Sequence, residues 1–257
     1  MIGDPDLLAF RRGYYELLTG LFAREPGPQV LRSLGEGIEA RAEAAATLHP
    51  LLGRGWSEIA RYLRDPSGEE IPEPAADEFT RLFIGPFGGE IQPYESYYLT
   101  GRVFERPLAA VRAFLREAGL EREGGAPEPE DWLAFELDVM RRLIVRQAAA
   151  GDPDGQMASA TMQAAFLKRH LLVWVPTFAE HLSQVQNARL YRGVGLLLAG
   201  FLALELMLVK DWGPEEVRSL EERRQAYAGR GAWKGPLVDP QPRVGLGPPV
   251  RPESPEP

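Results

Sequence analysis

A glutamate occupies a position that the helical periodicity assigns to the protein interior. In the predicted helix 129–150, Glu136 falls on the same face as Leu133, Leu137 and Met140. A carboxylate in apolar surroundings must find a cationic or hydrogen-bonding partner, or take up a proton. The pattern therefore predicts either a buried structural pair or a polar anchor at a ligand groove.

A second carboxylate lies in even more apolar surroundings. Glu205 interrupts the run Leu-Ala-Leu-Glu-Leu-Met-Leu. Arg189 and Arg192 begin the same predicted helix and lie too far along it to reach Glu205. We therefore expect a structural ion pair whose cationic partner comes from another helix.

Glycines, prolines and aromatic residues concentrate in one loop, residues 85–96. A helix cannot continue through it, because Pro86 lacks an N–H and the glycines make a rigid helix costly. Shaped loops on a rigid scaffold commonly carry binding residues. The glycines also suggest a phosphate loop, although the Lys-Ser/Thr pair and the preceding strand are missing. The candidate peptide-binding residues in this region are Phe83, Gly85, Pro86, Phe87, Pro93, Tyr94, Glu95, Ser96 and Tyr97.

The sequence offers little for catalysis. His170 and His181 are separated by Pro176 and by a spacing unlike that of metal ligands on one helix, so we expect surface histidines. His181 beside Glu180 is a weak acid–base pair without a nucleophile motif. The chain has no cysteine, which excludes thiolate catalysis and Cys-ligated metals. We predict that the protein is not an enzyme and has no catalytic residue, metal ligand or cofactor.

Composition restricts the possible partners. The formal net charge of −8 over 257 residues argues against nucleic-acid binding, which needs a basic face. The most apolar stretch, 193–209, contains Glu205 and predicts a buried core helix rather than stable membrane insertion. The N-terminus shows no secretory signal, so we expect a cytoplasmic protein.

The periodicity predicts an all-α, single-domain helical bundle over residues 1–228. A Pro/Gly-rich tail, 229–257, is expected to be disordered or extended, since it cannot bury enough apolar surface to offset its ordering entropy. Pro176 should kink or break its helix near 173–175. The predicted helices are 7–22, 26–47, 51–63, 75–84, 95–103, 107–118, 129–150, 157–186, 188–210 and 214–227.

Three runs together resemble the TorD/DmsD/NarJ family of assembly chaperones for molybdenum-dependent oxidoreductases. They are E-F-T-R-L-F-I-G-P (Glu78–Pro86), P-Y-E-S-Y-Y (Pro93–Tyr98) and P-E-D-W-L-A-F-E-L (Pro129–Leu137). The family pattern has a loop L-F-x-G-P, then P-x-x-S, then a helix start E-P-x-D-H-L. This chain departs from it at Trp132, where the family usually has His.

The resemblance implies a TorD-like all-α fold that binds the N-terminal twin-arginine leader of an apo molybdopterin oxidoreductase and holds it for cofactor insertion. Asp131, Trp132 and Glu136 would form the wall that faces the loop. Such a leader carries two guanidiniums and an apolar stretch, so its binder needs carboxylates beside an aromatic groove. We expect Glu95, Asp131 and Glu136 to supply the charge. The protein would be a monomer or a domain-swapped dimer.

Two other functions remain open from the sequence. A helical adapter would bind folded partners through a flat apolar surface. A nucleotide-dependent hydrolase would use Glu180, His181 and the Gly85–Gly89 loop.

Overall fold

The chain is mostly helical in the residues that the computed structural model describes, which are 2–64, 72–85, 89–121 and 128–228. These ranges contain no β-strand and bury one apolar core, so the predicted all-α class is confirmed. The predicted tail, 229–257, lies outside them. In chain order the elements are α1 Pro5–Ala23, α2 Pro28–Gly35, α3 Ile38–Leu48, α4 Pro50–Leu63, α5 Pro72–Phe79, a π-turn Thr80–Ile84, α6 Glu95–Thr100, α7 Arg106–Glu117, α8 Leu133–Ala149, α9 Pro153–Phe166, a π-turn Leu167–Leu171, α10 Leu172–Gln184, α11 Leu190–Val209 and α12 Leu220–Ala228.

The first helix shows how local chemistry sets a helix boundary. The Asp4 carboxylate accepts the N–H of Asp6 at 3.0 Å and of Leu7 at 3.3 Å, and Pro5 takes the first helical position. Both features favour a helix start, because the first N–H groups of a helix have no partner within it. α1 then packs along α8.

The centre of the bundle is α11, which packs between α4 and α10. Its contact with α4 is so close that glycine is required. A methyl group on Gly193 would lie 2.9 Å from the Gly55 carbonyl oxygen and 3.0 Å from the Ile59 nitrogen. The two backbones therefore touch, and a side chain at this crossing would force them apart.

By length and composition, α11 is also the one helix among the described residues that could cross a membrane. Within the fold, 56% of its most apolar window is buried. Leu190, Leu197, Leu198 and Phe201 are inaccessible to solvent. The helix thus has the core position that the sequence predicted.

The predicted ion pair of Glu205 is confirmed, and its partner is Arg11 of α1. The Arg11 Nε and Nη2 atoms donate to the two Glu205 oxygens at 2.6 and 2.8 Å. The Tyr15 hydroxyl adds a third bond to Glu205 at 2.7 Å, and Arg11 Nη1 donates to Gln163 at 2.7 Å. The network joins α1, α9 and α11, and the buried charges are matched.

Several helix boundaries differ from the predicted ones, and three of the differences concern where a helix is divided or begins. The segment 26–47 forms two helices, because Gly37 takes a left-handed conformation with φ of 60° between them. The segment 129–150 becomes helical only at Leu133, and the segment 214–227 only at Leu220.

Of the predicted kink or break near 173–175, the break is absent, because α10 continues from Leu172 to Gln184 with Pro176 inside it. A π-turn, Leu167–Leu171, lies just before that helix. A π-turn accommodates a mismatch in the i to i−4 bonding by widening one turn of the helix.

We expect Gly193→Ala to lower the free energy of unfolding by about 1–3 kcal/mol, the usual cost of overpacking a core. The control is Gly13→Ala in α1, where a methyl group meets no atom within 4 Å. The control should be neutral or slightly stabilising, because alanine favours a helix over glycine. Urea unfolding followed by circular dichroism measures both. Equal effects of the two substitutions would contradict the close crossing.

We expect Arg11→Met to cost about 3–5 kcal/mol, because it leaves the Glu205 charge buried without its cation. The double variant Arg11→Met/Glu205→Leu should recover most of that loss. Denaturant unfolding of the three proteins measures the difference. A single variant as stable as the wild type would show that the pair contributes no net stability.

Candidate functional site

The two segments that carry the loop and helix motifs lie side by side. Tyr94 and Trp132 form an isolated antiparallel bridge. The Glu95 N–H donates to the Asp131 carbonyl at 2.9 Å, and the Leu133 N–H donates to the Pro93 carbonyl at 2.9 Å. These backbone bonds place the starts of α6 and α8 next to each other, which also explains the late start of α8.

Asp131 holds the start of α6. Its Oδ2 atom accepts the Ser96 N–H at 3.0 Å, and its side chain is fully buried. Burial raises the pKa of Asp131, the bonds from Ser96 oppose that rise, and the charge of Glu95 adds to it. Asp131 therefore stabilises the start of α6 in two ways. It accepts an N–H that has no partner within the helix, and it lies at the positive end of the helix dipole.

Glu136 is completely buried, as the predicted helical face required, and its partners are neutral or acidic. The Trp174 Nε1–H donates to Glu136 Oε2 at 3.1 Å. Burial raises the pKa of Glu136 well above its ordinary value, and the charges of Glu95 and Asp131 raise it further. A raised pKa of this kind favours the protonated, neutral form of the Glu136 carboxyl group.

His170 completes this buried chain of polar groups. Its Nδ1 atom lies 2.8 Å from Glu95 Oε2, and its side chain is 3% exposed. The expectation of a surface histidine at this position was wrong. The sequence does contain a signal for the burial of His170. Phe166, His170 and Trp174 follow one another at intervals of four, so they share one inward face of the helix.

The other two histidines also have defined contacts. The His49 Nδ1 atom accepts the Leu51 N–H at 3.2 Å. His181 stacks on Tyr98 with ring centroids 5.9 Å apart, and its Nδ1 atom lies 3.3 Å from the Tyr98 hydroxyl.

The aromatic members of the bridged segments remain at the surface. Tyr94, Tyr97 and Trp132 are each half-buried. The Tyr94 hydroxyl donates to Glu128 Oε2 at 2.6 Å, so a carboxylate lies beside these rings. Burial and the Glu128 bond raise the pKa of the Tyr94 hydroxyl, which keeps it a donor.

Part of the predicted loop lies elsewhere. Phe83 packs edge-on against Phe22, Phe79 and Tyr191, with ring centroids 5.0–5.8 Å apart. Gly85 ends the preceding π-turn with φ of 33°. Pro86 and Phe87 lie outside the described residues.

The structure thus brings together Pro93, Tyr94, Glu95, Ser96, Tyr97, Asp131, Trp132 and Glu136. Three carboxylates were expected to supply charge to the leader, namely Glu95, Asp131 and Glu136. All three are 0% exposed, and they bond to groups inside the protein.

A large groove lies away from these segments. It has a volume of about 880 Å³ between α1, α2, α3 and α4. Its lining is mainly apolar and includes Tyr14, Val30, Leu48 and Trp56.

Comparison with known proteins bears on both motif segments. A family model described as nitrate reductase delta subunit matches residues 45–180, just over half of the chain. A relative from Vibrio vulnificus named chaperone protein TorD is 32% identical over 203 residues, which cover 76% of this chain and 92% of the relative. The chain belongs to the TorD-like chaperone family.

Two further relatives carry the same name. The one from Vibrio parahaemolyticus is 27% identical over 202 residues, covering 76% of this chain and 92% of the relative. The one from Vibrio cholerae is 34% identical over 132 residues, covering 51% and 59%. The resemblance drawn from the motifs is confirmed, and the names of these TorD-like relatives support the prediction that the chain is a chaperone and not an enzyme.

The buried carboxyl group gives a prediction for pH. Because the pKa of Glu136 is raised in the folded protein, the folded chain keeps this proton to a higher pH than the unfolded chain does. Its contribution to stability is therefore full below the ordinary pKa of glutamate and is lost as pH rises through the raised folded-state pKa. As pH rises above the ordinary pKa of glutamate, we expect the urea midpoint to fall more steeply for the wild type than for Glu136→Gln.

The matched control for this experiment is Glu16→Gln, since Glu16 is exposed on α1. It should keep the pH dependence of the wild type. A Glu136→Gln variant that also keeps it would show that Glu136 is not the group responsible.

Proposed function

We propose that this chain is a maturation chaperone that binds the twin-arginine leader of an apo molybdopterin oxidoreductase. It holds the apo-enzyme in the cytoplasm until the molybdopterin cofactor has been inserted. The observation that carries the proposal is the bridge between Tyr94 and Trp132, which turns two separate motifs into one surface. The TorD-like family membership supports it.

The chemistry of this surface suits the leader. Tyr94, Tyr97 and Trp132 offer aromatic faces, which attract guanidinium groups and also bury apolar side chains. Glu128 supplies a carboxylate at the edge. Both parts of the leader, its arginines and its apolar stretch, thus have a partner, and no bond needs to be made or broken.

The buried carboxylates have an indirect role in this proposal. Asp131 fixes the start of α6, Glu95 joins α6 to the π-turn that carries His170, and Glu136 joins α8 to Trp174 of α10. These bonds keep the aromatic side chains in place before the leader arrives. A pre-formed site binds more tightly, since less side-chain entropy is lost on binding.

We expect the double variant Tyr97→Ala/Trp132→Ala to weaken leader binding by about tenfold or more, because it removes two aromatic contacts of roughly 1 kcal/mol each. The leader is that of the molybdoenzyme that co-purifies with the full chain. Calorimetric titration measures its affinity, and circular dichroism verifies that the variant is folded.

The control changes the other apolar surface. Leu48 is 51% exposed at the α1–α4 groove, and Val30 is half-buried there. Val30→Ala/Leu48→Ala should leave the affinity unchanged. If this control loses binding while Tyr97→Ala/Trp132→Ala does not, the leader occupies the groove and the proposed site is wrong. If no molybdoenzyme co-purifies, or if deletion of its leader leaves capture intact, the proposed function is wrong.

A further inference from the structure

The last described helix, α12, is attached to the bundle mainly by hydrogen bonds from its arginines, and its Leu220 also packs against the core. None of its residues is buried. It lies against α6 and α10. Arg223 and Arg224, which are adjacent in sequence, make the hydrogen bonds that hold it there.

Each arginine of this pair donates to a backbone carbonyl. Arg224 Nε donates to the Tyr98 carbonyl at 2.8 Å. Arg223 Nη2 donates to the Arg169 carbonyl at 3.1 Å. On the other side, the Arg106 guanidinium donates to the Tyr227 carbonyl and lies 5.8 Å from the centre of the Tyr227 ring.

The two acceptors are well suited to guanidinium groups. Tyr98 lies in the last turn of α6, where carbonyls point past the end of the helix and carry the negative end of its dipole. Arg169 lies in the π-turn before α10. A cationic donor at a helix C-terminus satisfies both the hydrogen bond and the dipole.

These acceptors adjoin the proposed leader site. Tyr98 follows Tyr94 by one turn of α6, a rise of about 6 Å along the helix axis. The Tyr98 ring contacts that of Tyr97, with centroids 6.1 Å apart. A peptide lying on Tyr94 and Tyr97 would therefore lie next to the Tyr98 carbonyl, to which Arg224 of α12 donates.

We propose that the carbonyls of Tyr98 and Arg169 form a subsite for two adjacent arginines, and that α12 occupies it in the free protein as an internal competitor of the leader. The inference rests on the proposed function and specifies where the arginines bind. Glu95, Asp131 and Glu136 are closed to solvent, so the inference gives the two arginines acceptors other than these buried carboxylates.

The competition has a defined consequence for affinity. The leader binds only the fraction of molecules in which α12 has left the subsite, so its apparent affinity is reduced by that fraction. Removing the guanidiniums of α12 should raise the affinity. Binding of the leader should in turn release α12 from the bundle.

The test uses the full chain and a synthetic peptide with two adjacent arginines ahead of an apolar stretch. We expect Arg223→Gln/Arg224→Gln to bind this peptide about threefold or more tightly than the wild type. In the wild type, the peptide should accelerate amide hydrogen exchange in residues 220–228. A peptide with two lysines in place of the arginines should show a smaller gain in affinity from this double substitution, since lysine lacks the planar fork of donors.

The control is Arg12→Gln/Arg218→Gln, which removes the same charge from two exposed arginines outside α12. The control should bind the peptide with the affinity of the wild type. This result would distinguish an effect of competition by α12 from an effect of net charge. If both double variants bind equally, or if the peptide slows exchange in α12, the competition is wrong and the proposed function stands. If the peptide binds neither the wild type nor Arg223→Gln/Arg224→Gln, the proposed function fails and the inference fails with it.

Discussion

The short backbone pairing between Tyr94 and Trp132 is the constraint on which the site depends. Two bonds of 2.9 Å, Glu95 N–H to Asp131 and Leu133 N–H to Pro93, join segments far apart in sequence. They fix where α6 and α8 begin, and therefore which side chains turn inward. The same pairing places the aromatic residues of both segments on one surface.

That pairing also encloses three carboxyl groups, which is costly unless each finds a partner or a proton. Asp131 accepts the N–H of Ser96, Glu95 Oε2 lies within bonding distance of His170, and Glu136 Oε2 accepts from Trp174, while burial raises the pKa of Glu136. A buried polar network of this kind favours one arrangement of its helices over others, because a shift would break these bonds.

Local patterns sufficed for much of this structure, and tertiary contacts decided the rest. Periodicity predicted the helices and the inward position of Glu136, and the apolar run around Glu205 predicted a cation from another helix, found in Arg11. The bridge was not predictable, because two residues of extended backbone leave no alternation in the sequence. The burial of Glu95 follows from that bridge, whereas the four-residue spacing of Phe166, His170 and Trp174 does indicate the burial of His170.

The long spans of these contacts govern when the site can exist during synthesis. Arg11 pairs with a residue 194 positions later, and His170 meets a glutamate 75 positions earlier. Because a chain leaves the ribosome from its N-terminus, α1 emerges before α11. Its Arg11 cannot pair with Glu205 until α11 has been synthesised. The surface of Tyr94 and Trp132 likewise lacks its support until residue 174 has been made. A nascent chain therefore completes this surface late, and under the proposed function an incomplete copy would not present the finished leader site.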